Sequence, residues 1–484
     1  MNLSLFIVHC TWVAAAIAII PTLIGSAGAT TPPKQENSPG VTSANSLLVP
    51  NYLNPNANPL QFPTKPEEVR IQGTVPITLA QALELAKRNN RDLQVAILEL
   101  ERNRAVLRES QAALFPTVNA NGSLTNSGDG LLENDSDNTD SADTSTTSFS
   151  GSVELDYNIY TSGNRQAGIR AAEEQVRVGE FNVETQSLTI ALNVATQYYN
   201  LQQADEQVRI NRSAVENSQA SLRDAQAREA AGVGTRFDVL QAQVNLADAQ
   251  QQLTNAISNQ QIARRQFGTL LSLPQSVDVS AADPVQLAGV WQPTLEQTII
   301  QAFQNRPELQ QQLAQRNISE QQRRQALSQL GPQVSLTGRY NLQDVYNDRI
   351  SATDGYSLGV QASLTVFDGG AARASADQSR ANIAIAETQF AQQRDLIRFD
   401  VEQYYSQLQS NLNNVQTSSV ALNQAREALT LARLRFQAGV GTQTDVISAE
   451  NDLTRAEGNR VTAILDYNRA LANLQRSVTS RASR

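Results

Sequence analysis

The chain has 484 residues, with 38 Lys and Arg against 47 Asp and Glu, and a formal net charge of -9. An acidic chain without basic blocks is a poor candidate for nucleic acid binding. Its single His and single Cys are His9 and Cys10, so the rest of the chain excludes disulfides, thiolate or imidazole metal ligands, and any nucleophile relying on a Cys or His partner.

In chain order, residues 1–29 are an apolar run closing on Ala27-Gly28-Ala29, a small-x-small pattern expected of a cleaved secretory signal. This run contains no charged side chain, so its removal leaves the charge unchanged. No later run of 20 apolar residues predicts a transmembrane helix, which leaves an exported soluble protein, a peripheral one, or an outer-membrane β-barrel. Residues 30–75 are rich in Pro, Asn, Ser and Thr and read as a flexible or partly extended arm.

From 76 the chain divides into two repeats, 76–272 and 294–479, separated by a connector at 273–293 and followed by a tail at 480–484. The first repeat predicts a helix (79–114), strand (117–125), loop, strand (149–159), helix (164–230), tip and helix (236–272). The second predicts a helix (294–329), strand (333–342), loop, strand (356–366), helix (371–437), tip and helix (443–479). Pro116 matches Pro332, Gly163 matches Gly370, Tyr198-Tyr199 match Tyr404-Tyr405, and Gly234 matches Gly441. Helices of about 67 residues would span roughly 100 Å, and two of about 36 residues laid end to end would match one of them. Such rods need neighbours. Val194, Leu201, Val208, Val215 and Leu222 recur every seven positions, as do Val415, Leu422, Leu429 and Phe436, a period that implies left-handed supercoiling.

The four strands alternate. Val153, Leu155 and Tyr157 stand against Glu154 and Asp156, and Leu358, Val360 and Leu364 against Ser357, Gln361 and Ser363. One apolar and one polar face suits a membrane barrel with a wet interior, or equally a half-buried sheet on a soluble core. Rods with thin seams offer no globular core to cover, which favours the barrel. Four strands cannot close one, so several chains must share it; three give twelve strands, and the sequence does not separate three from four. The loop from Asn126 carries six Asp or Glu and no Lys or Arg, which fits a solvated loop on the outward side.

The tip "AGVGTRFDVL" from Ala231 returns as "AGVGTQTDVI" from Ala438. Gly supplies backbone angles that other residues disfavour, and Thr235 or Thr442 can cap the following helix with Asp238 or Asp445 in its first turn. A plain cap gives no reason for Val233 and Val440 at the end of a rod; a docking surface does.

With these duplicated tips, the "LFP" and "LGP" strand entries at Leu114–Pro116 and Leu330–Pro332, and the exits "YNIYTSGNR" and "LTVFDGGAA", the chain from Thr78 to Thr479 resembles the TolC-type outer-membrane efflux family. A cyanobacterial member is the expectation. The resemblance implies a mainly α protein with a β-barrel part: a homotrimer with a twelve-strand outer-membrane barrel, four strands per chain, over a periplasmic α-helical coiled-coil barrel. It implies a periplasmic adaptor and an inner-membrane ABC or RND pump as partners. Adaptor contacts would fall at Gly232, Val233, Gly234, Thr235, Gly439, Val440, Gly441 and Thr442. It also implies a periplasmic aperture narrowed by acidic side chains after the second tip. Asp445 matches one such position, Ser448 departs from the next, and Asp238 serves the aperture or only its own helix terminus. An equatorial girdle would use the connector 273–293, with Trp291 as an anchor. No cofactor, metal or catalytic residue is expected, and the reading is an exit duct. The rivals are a non-channel periplasmic coiled-coil scaffold or adaptor, and an exported enzyme.

Overall fold

Two long helices of 67 residues each organise the helical part of the described structure. The computed structural model describes residues 53, 58, 60–71, 73–128, 145–346 and 352–478. The chain divides into two compact units, Met1–Leu48 and Val49–Arg484, and all described residues belong to the second. The signal, most of the arm, the middle of the acidic loop, part of the loop at 347–351 and the tail lie outside the described residues.

The elements are α1 (Pro66–Val69), β1 (Gly73–Ile77), α2 (Leu79–Asn89), α3 (Arg91–Ala112), β2 (Thr117–Gly128), β3 (Ser145–Tyr160), α4 (Asn164–Ala230) and α5 (Arg236–Leu270). After the connector strand β4 (Val277–Ala281) come α6 (Leu295–Asn305), α7 (Pro307–Ser328), β5 (Gln333–Tyr346), β6 (Thr353–Ser363), α8 (Ala371–Gln437) and α9 (Gln443–Val478).

Helix α4 passes α3 and α7 along its first half and α5 and α9 along its second, while α8 flanks α7 and then α9. Side chains mark the two levels. Asn103 donates to the Gln175 carbonyl at 3.5 Å, and Asn164 to the Gln325 carbonyl at 3.5 Å. Farther along, Asn211 donates to the Gln252 carbonyl at 3.3 Å and Gln203 to Thr462 at 3.3 Å. Each chain therefore supplies four helical positions: α3 with α5, then α4, then α7 with α9, then α8. The seven-residue seam is buried at Val194, Leu201, Val208 and Val215, and again at Leu422, Leu429 and Phe436.

Two expected helices are each interrupted. Asn90 is extended and its side chain accepts from the backbone of Asp92 and Leu93, ending α2 and capping α3. Arg306 is extended because Pro307 follows it, and Pro307 opens α7 at the position where a missing N–H is harmless. At the breaks α2 packs on α4 and α6 on α8, and the two main apolar clusters gather there. One joins Leu53, Ile77, Leu85, Tyr198, Phe267 and Val279, and the other Ala302, Ile397, Tyr467 and Leu474.

The boundary at 75 divides a strand. β1 pairs in parallel with β4, from Gly73 opposite Val277 to Ile77 opposite Ala281, so the end of the arm and the connector form one girdle. Asp283 knots it to α4. Its carboxylate accepts from the Tyr198 hydroxyl at 2.7 Å and the Leu79 N–H at 2.8 Å, and its carbonyl accepts from Gln202 at 2.8 Å. Burial and then the Asp283 bond push the Tyr198 phenol above its ordinary range. Trp291 donates to Thr298 at 3.1 Å and packs against the second cluster.

Removing the Tyr198 hydroxyl takes one of two donors from the half-buried Asp283 carboxylate and the acceptor from the Asp283 N–H, so Tyr198→Phe is expected to lose about 1–2 kcal/mol. Thermal unfolding of the purified protein, compared with Tyr404→Phe as a neutral partner, measures it.

Candidate functional site: a shared sheet and a paired helical tip

Strands β2, β3, β5 and β6 form one antiparallel sheet in the order β2-β3-β5-β6. Register puts the apolar positions in phase across all four. Val118 lies opposite Leu155, Leu155 opposite Gly338, and Gly338 opposite Leu358; Val153 joins Ala120 to Tyr340 and then Tyr356. Tyr157 faces Leu336, which faces Val360. The intervening rows carry Asn119, Glu154, Arg339 and Ser357, where Arg339 and Glu154 form an ion pair. Because side chains alternate, all these apolar residues share one face and the polar ones the other.

Val118, Val153, Leu358 and Val360 are exposed, so among the described residues nothing covers the apolar face. Among them, too, the outer edges of β2 and β6 have no strand partner. β6 ends at Ser363, opposite Gln333, because Pro332 precedes Gln333 and cannot continue the ladder; Leu364, exposed like Leu358 and Val360, follows directly after the strand.

At the opposite end of the helices the two tips have the same geometry. Gly232 and Gly439 take φ of 74° and 77°, in the left-handed region. The N–H groups of Val233 and Gly234 both reach the Arg228 carbonyl at 3.0 Å, and those of Val440 and Gly441 both reach the Arg435 carbonyl at 3.0 Å. Gly234 and Gly441 answer a different need. A Cβ on Gly441 would lie 3.1 Å from both the Arg435 Cβ and the Phe436 nitrogen, and one on Gly234 would lie 3.0 Å from the Arg228 Cβ.

Thr235 and Asp238 then exchange backbone caps at 3.2 and 3.0 Å. Thr442 and Asp445 do the same at 3.1 and 3.0 Å. The Thr442 N–H, its hydroxyl and the Arg435 charge hold the exposed Asp445 carboxyl below the usual carboxylate range. Ser448 is exposed one turn on, whereas Val446 and Ala449 are buried. Val233 and Val440 are 66% and 70% exposed, so neither belongs to a core.

Several tip contacts have no mark in residue types alone. Arg228 donates to the Phe436 carbonyl at 2.9 Å with its guanidinium 4.7 Å from the Phe436 ring centre, tying the first tip to the carboxyl end of α8. Gln443 donates to Ser221 at 3.1 Å, and Arg433 reaches both Asn217 at 3.0 Å and the buried Glu450 at 2.9 Å. Burial pushes the Glu450 carboxyl up, against the pull of Arg433. The repeat does carry Arg at both 228 and 435, a signal that arginine matters there, but which of the two crosses to the other tip is a matter of packing.

Among the described residues no helix is long and apolar enough to cross a membrane. A profile of the family described as Outer membrane efflux protein matches residues 82–272 and 298–479. The chain is 27% identical over 421 residues to the Pyoverdine export outer membrane protein OpmQ of Pseudomonas aeruginosa, covering 83% of each chain. It is 24% identical over 407 residues to the Alkaline protease secretion protein AprF of the same species, covering 82% of this chain and 83% of that one. The open-state crystal structure of the Neisseria gonorrhoeae MtrE outer membrane channel superposes with a TM-score of 0.70 at 18% identity, over 90% of this chain and 98% of that chain. These organisms lend nothing to the cyanobacterial expectation.

A Cβ at Gly441 must displace backbone, and one at Gly439 meets left-handed strain, so Gly439→Ala and Gly441→Ala are each expected to destabilise the tip by about 1–3 kcal/mol. Amide exchange over residues 436–445 should accelerate in both variants, with the equatorial amides near Tyr198 unchanged.

Proposed function

Because this chain belongs to the outer membrane efflux protein family, we propose that three copies of it form the outer-membrane exit duct of a tripartite efflux or type I secretion system. The protein is an outer-membrane conduit, not an enzyme, and its helices are a periplasmic tunnel. The observation that carries the proposal is the in-phase sheet with two open edges. Unpaired backbone in hydrocarbon costs several kcal/mol per group, so β6 of one copy must pair with β2 of the next until the ring closes. Three copies give a twelve-strand barrel.

The helices support the same association. On α8, Ile385, Phe399, Val420 and Leu434 lie at multiples of seven, with Leu396 and Leu431 three places before Phe399 and Leu434, and all six are exposed. Among the described residues this second heptad seam has no partner in its own chain. The opposite flank exposes Val95 and Leu98 on α3 and Phe237, Leu240 and Val244 on α5. Two open apolar flanks on one subunit are what a closed heterologous ring requires. A lone periplasmic scaffold leaves both flanks and the sheet face in water.

Partners follow from the tips. A periplasmic adaptor would dock on Gly232, Val233, Gly234 and Thr235 together with Gly439, Val440, Gly441 and Thr442, with Val233 and Val440 as its apolar contacts. An inner-membrane ABC or RND pump would supply the energy, and cargo would diffuse through the wet tunnel. Pyoverdine export and protease secretion, the roles in the names of the two relatives, share such a passive exit. At the periplasmic aperture a ring of Asp445 would focus negative potential, with Asp238 beside the first tip and the uncharged Ser448 leaving a single acidic layer.

Detergent-extracted protein should be trimeric and form conducting pores in planar bilayers, whereas Phe399→Asp with Leu434→Asp should yield folded monomers by light scattering. Folded wild-type monomer without conductance would sink the reading. Multivalent cations added from the tip side should block the pore. The lowered pKa of Asp445 keeps the carboxylate charged above its folded value, so block should persist as pH falls through the ordinary carboxylate range and vanish only below it. Asp445→Asn should remove block at every pH. A photocrosslinker at Val233 or Val440 should capture the adaptor in cells.

A further inference from the structure

β6 stops short of where its counterpart in the first repeat stops, and the difference locates a missing strand. The two repeats correspond at fixed offsets. Residues 164–230 return 207 places on, at 371–437, and residues 79–112 return 216 places on, at 295–328. Sheet register obeys the same offsets, because Thr117 faces Asp156 while Gln333 faces Ser363. β3 is therefore the counterpart of β6, and β5 the counterpart of β2. β3 runs on to Tyr160, which would place the end of β6 at Phe367, yet β6 ends at Ser363.

What holds the end of β3 is β5. β2 reaches no farther than Thr117, opposite Asp156, whereas Tyr157, Asn158 and Tyr160 are paired only with Leu336, Ser335 and Val334 of β5. The register shifts between Asn158 and Tyr160, so Ile159 is the extra residue and Tyr160 comes opposite Val334 on the apolar face. Residues 364–367 are the counterparts of 157–160, and the strand that would pair with them, the counterpart of β5, is β2, which lies at the far edge of the sheet in their own chain. Leu364 is 57% exposed where its counterpart Tyr157 is partly buried, and Val366 and Phe367 are exposed too. The helices repeat the pattern. Ala314 and Ile318 on α7 are buried, while their counterparts Leu98 and Arg102 on α3 are exposed, although α4 packs on α3 as α8 packs on α7. The neighbour that α3 lacks is then the counterpart of α4, which is α8 of another copy.

We infer that β6 of one copy pairs with β2 of the next in the register that β3 and β5 already hold inside the chain, so that the edge between copies replicates the seam between repeats. The offsets fix each pair. Glu154 faces Arg339, so Gln361 faces Ser123 of the next copy, since 154 plus 207 is 361 and 339 less 216 is 123. In the same way Val360 faces Leu124 of the next copy, Ala362 its Gly122, Leu364 its Ala120 and Phe367 its Val118, all on the apolar side. On the polar side Ser363 faces Asn121 of the next copy and Thr365 its Asn119. β6 thereby lengthens to Phe367 on association, with Val366 in the bulge that Ile159 occupies in β3. Each of these apolar residues meets an apolar residue or a glycine, whereas a slip of one would set Val360 against Ser123 or Thr125. A slip of two keeps the alternation and loses only the correspondence with β3 and β5. The proposal rests on the barrel reading and adds the residue pairs that close it.

The test is cysteine cross-linking of the full-length protein in outer membranes, on a Cys10→Ser background that removes the single native thiol. Ser123→Cys with Gln361→Cys, and Asn121→Cys with Ser363→Cys, are the paired variants. Gln361→Cys with Asn121→Cys, and Gln361→Cys with Thr125→Cys, are the variants slipped by two. Glu154→Cys with Arg339→Cys, the counterpart pair within one chain, measures how readily this geometry closes. Directly opposed side chains have Cβ atoms about 5 Å apart and diagonal ones about 7–8 Å, against the roughly 4 Å of a disulfide. After brief oxidation with copper phenanthroline, or treatment of all five variants with a short bis-methanethiosulfonate, the paired variants should run without reductant as covalent trimers, at several times the yield of either slipped variant. A slipped variant that links best overturns the register and leaves the barrel standing. Closure of the within-chain pair with no link between chains in any variant removes the barrel reading and this proposal together.

Discussion

A strand edge cannot end in hydrocarbon, and that single prohibition shapes this molecule. Each chain offers four strands with one apolar face and two open edges. Water cannot satisfy the edge groups inside a membrane, and the chain has no further strand there among its described residues to do so. On the proposed reading closure comes from copies of the same chain, and the rods below inherit the same arithmetic. A subunit that must be one sector of a ring presents unfinished surfaces on both sides, which is where α8 exposes its second heptad seam and where α3 and α5 expose theirs.

The internal repeat makes the sector. Each repeat contributes one strand pair, one broken helix, one continuous helix of 67 residues and one further helix after the tip, and the strand pairs join through β3 and β5. The breaks at Asn90 and Arg306 are the points at which the thin-seamed rods acquire a true core. Two apolar clusters and the β1-β4 ladder gather there, at mid-length between the apolar-faced sheet and the tips. The Tyr198-Asp283 knot binds chain segments far apart in sequence across this level.

The tips show how a duplicated sequence yields a nearly duplicated structure with one useful asymmetry. Both turns use one glycine for its left-handed angle and a second for lack of a Cβ, and both place a threonine-aspartate capping pair at the start of the next helix. Only the second tip has Gln443 and Glu450 turned into buried polar contacts with α4 and α8. Arg228 joins the two. The exposed valines, with Phe237 in the first turn of α5, are left as the apolar surface of this capped end.

Helix and strand identity, the repeat, the glycine turns and their caps were legible from residue order because each depends on neighbours within a few positions. α4 and α8 run over the residues expected, and the capping pairs are those the Thr-x-x-Asp spacing implies. The helix breaks at Asn90 and Arg306 were not anticipated by the helical periodicity of 79–114 and 294–329, although Asn90 as a cap and Pro307 at a helix start are both local signals. The parallel β1-β4 ladder, the bulge that turns Tyr160 onto the apolar face, and the reach of Arg228 to Phe436 were decided by the tertiary structure alone. Each joins segments far apart in the chain or depends on register, and neither loop closure nor register is written in the local alternation of side chains.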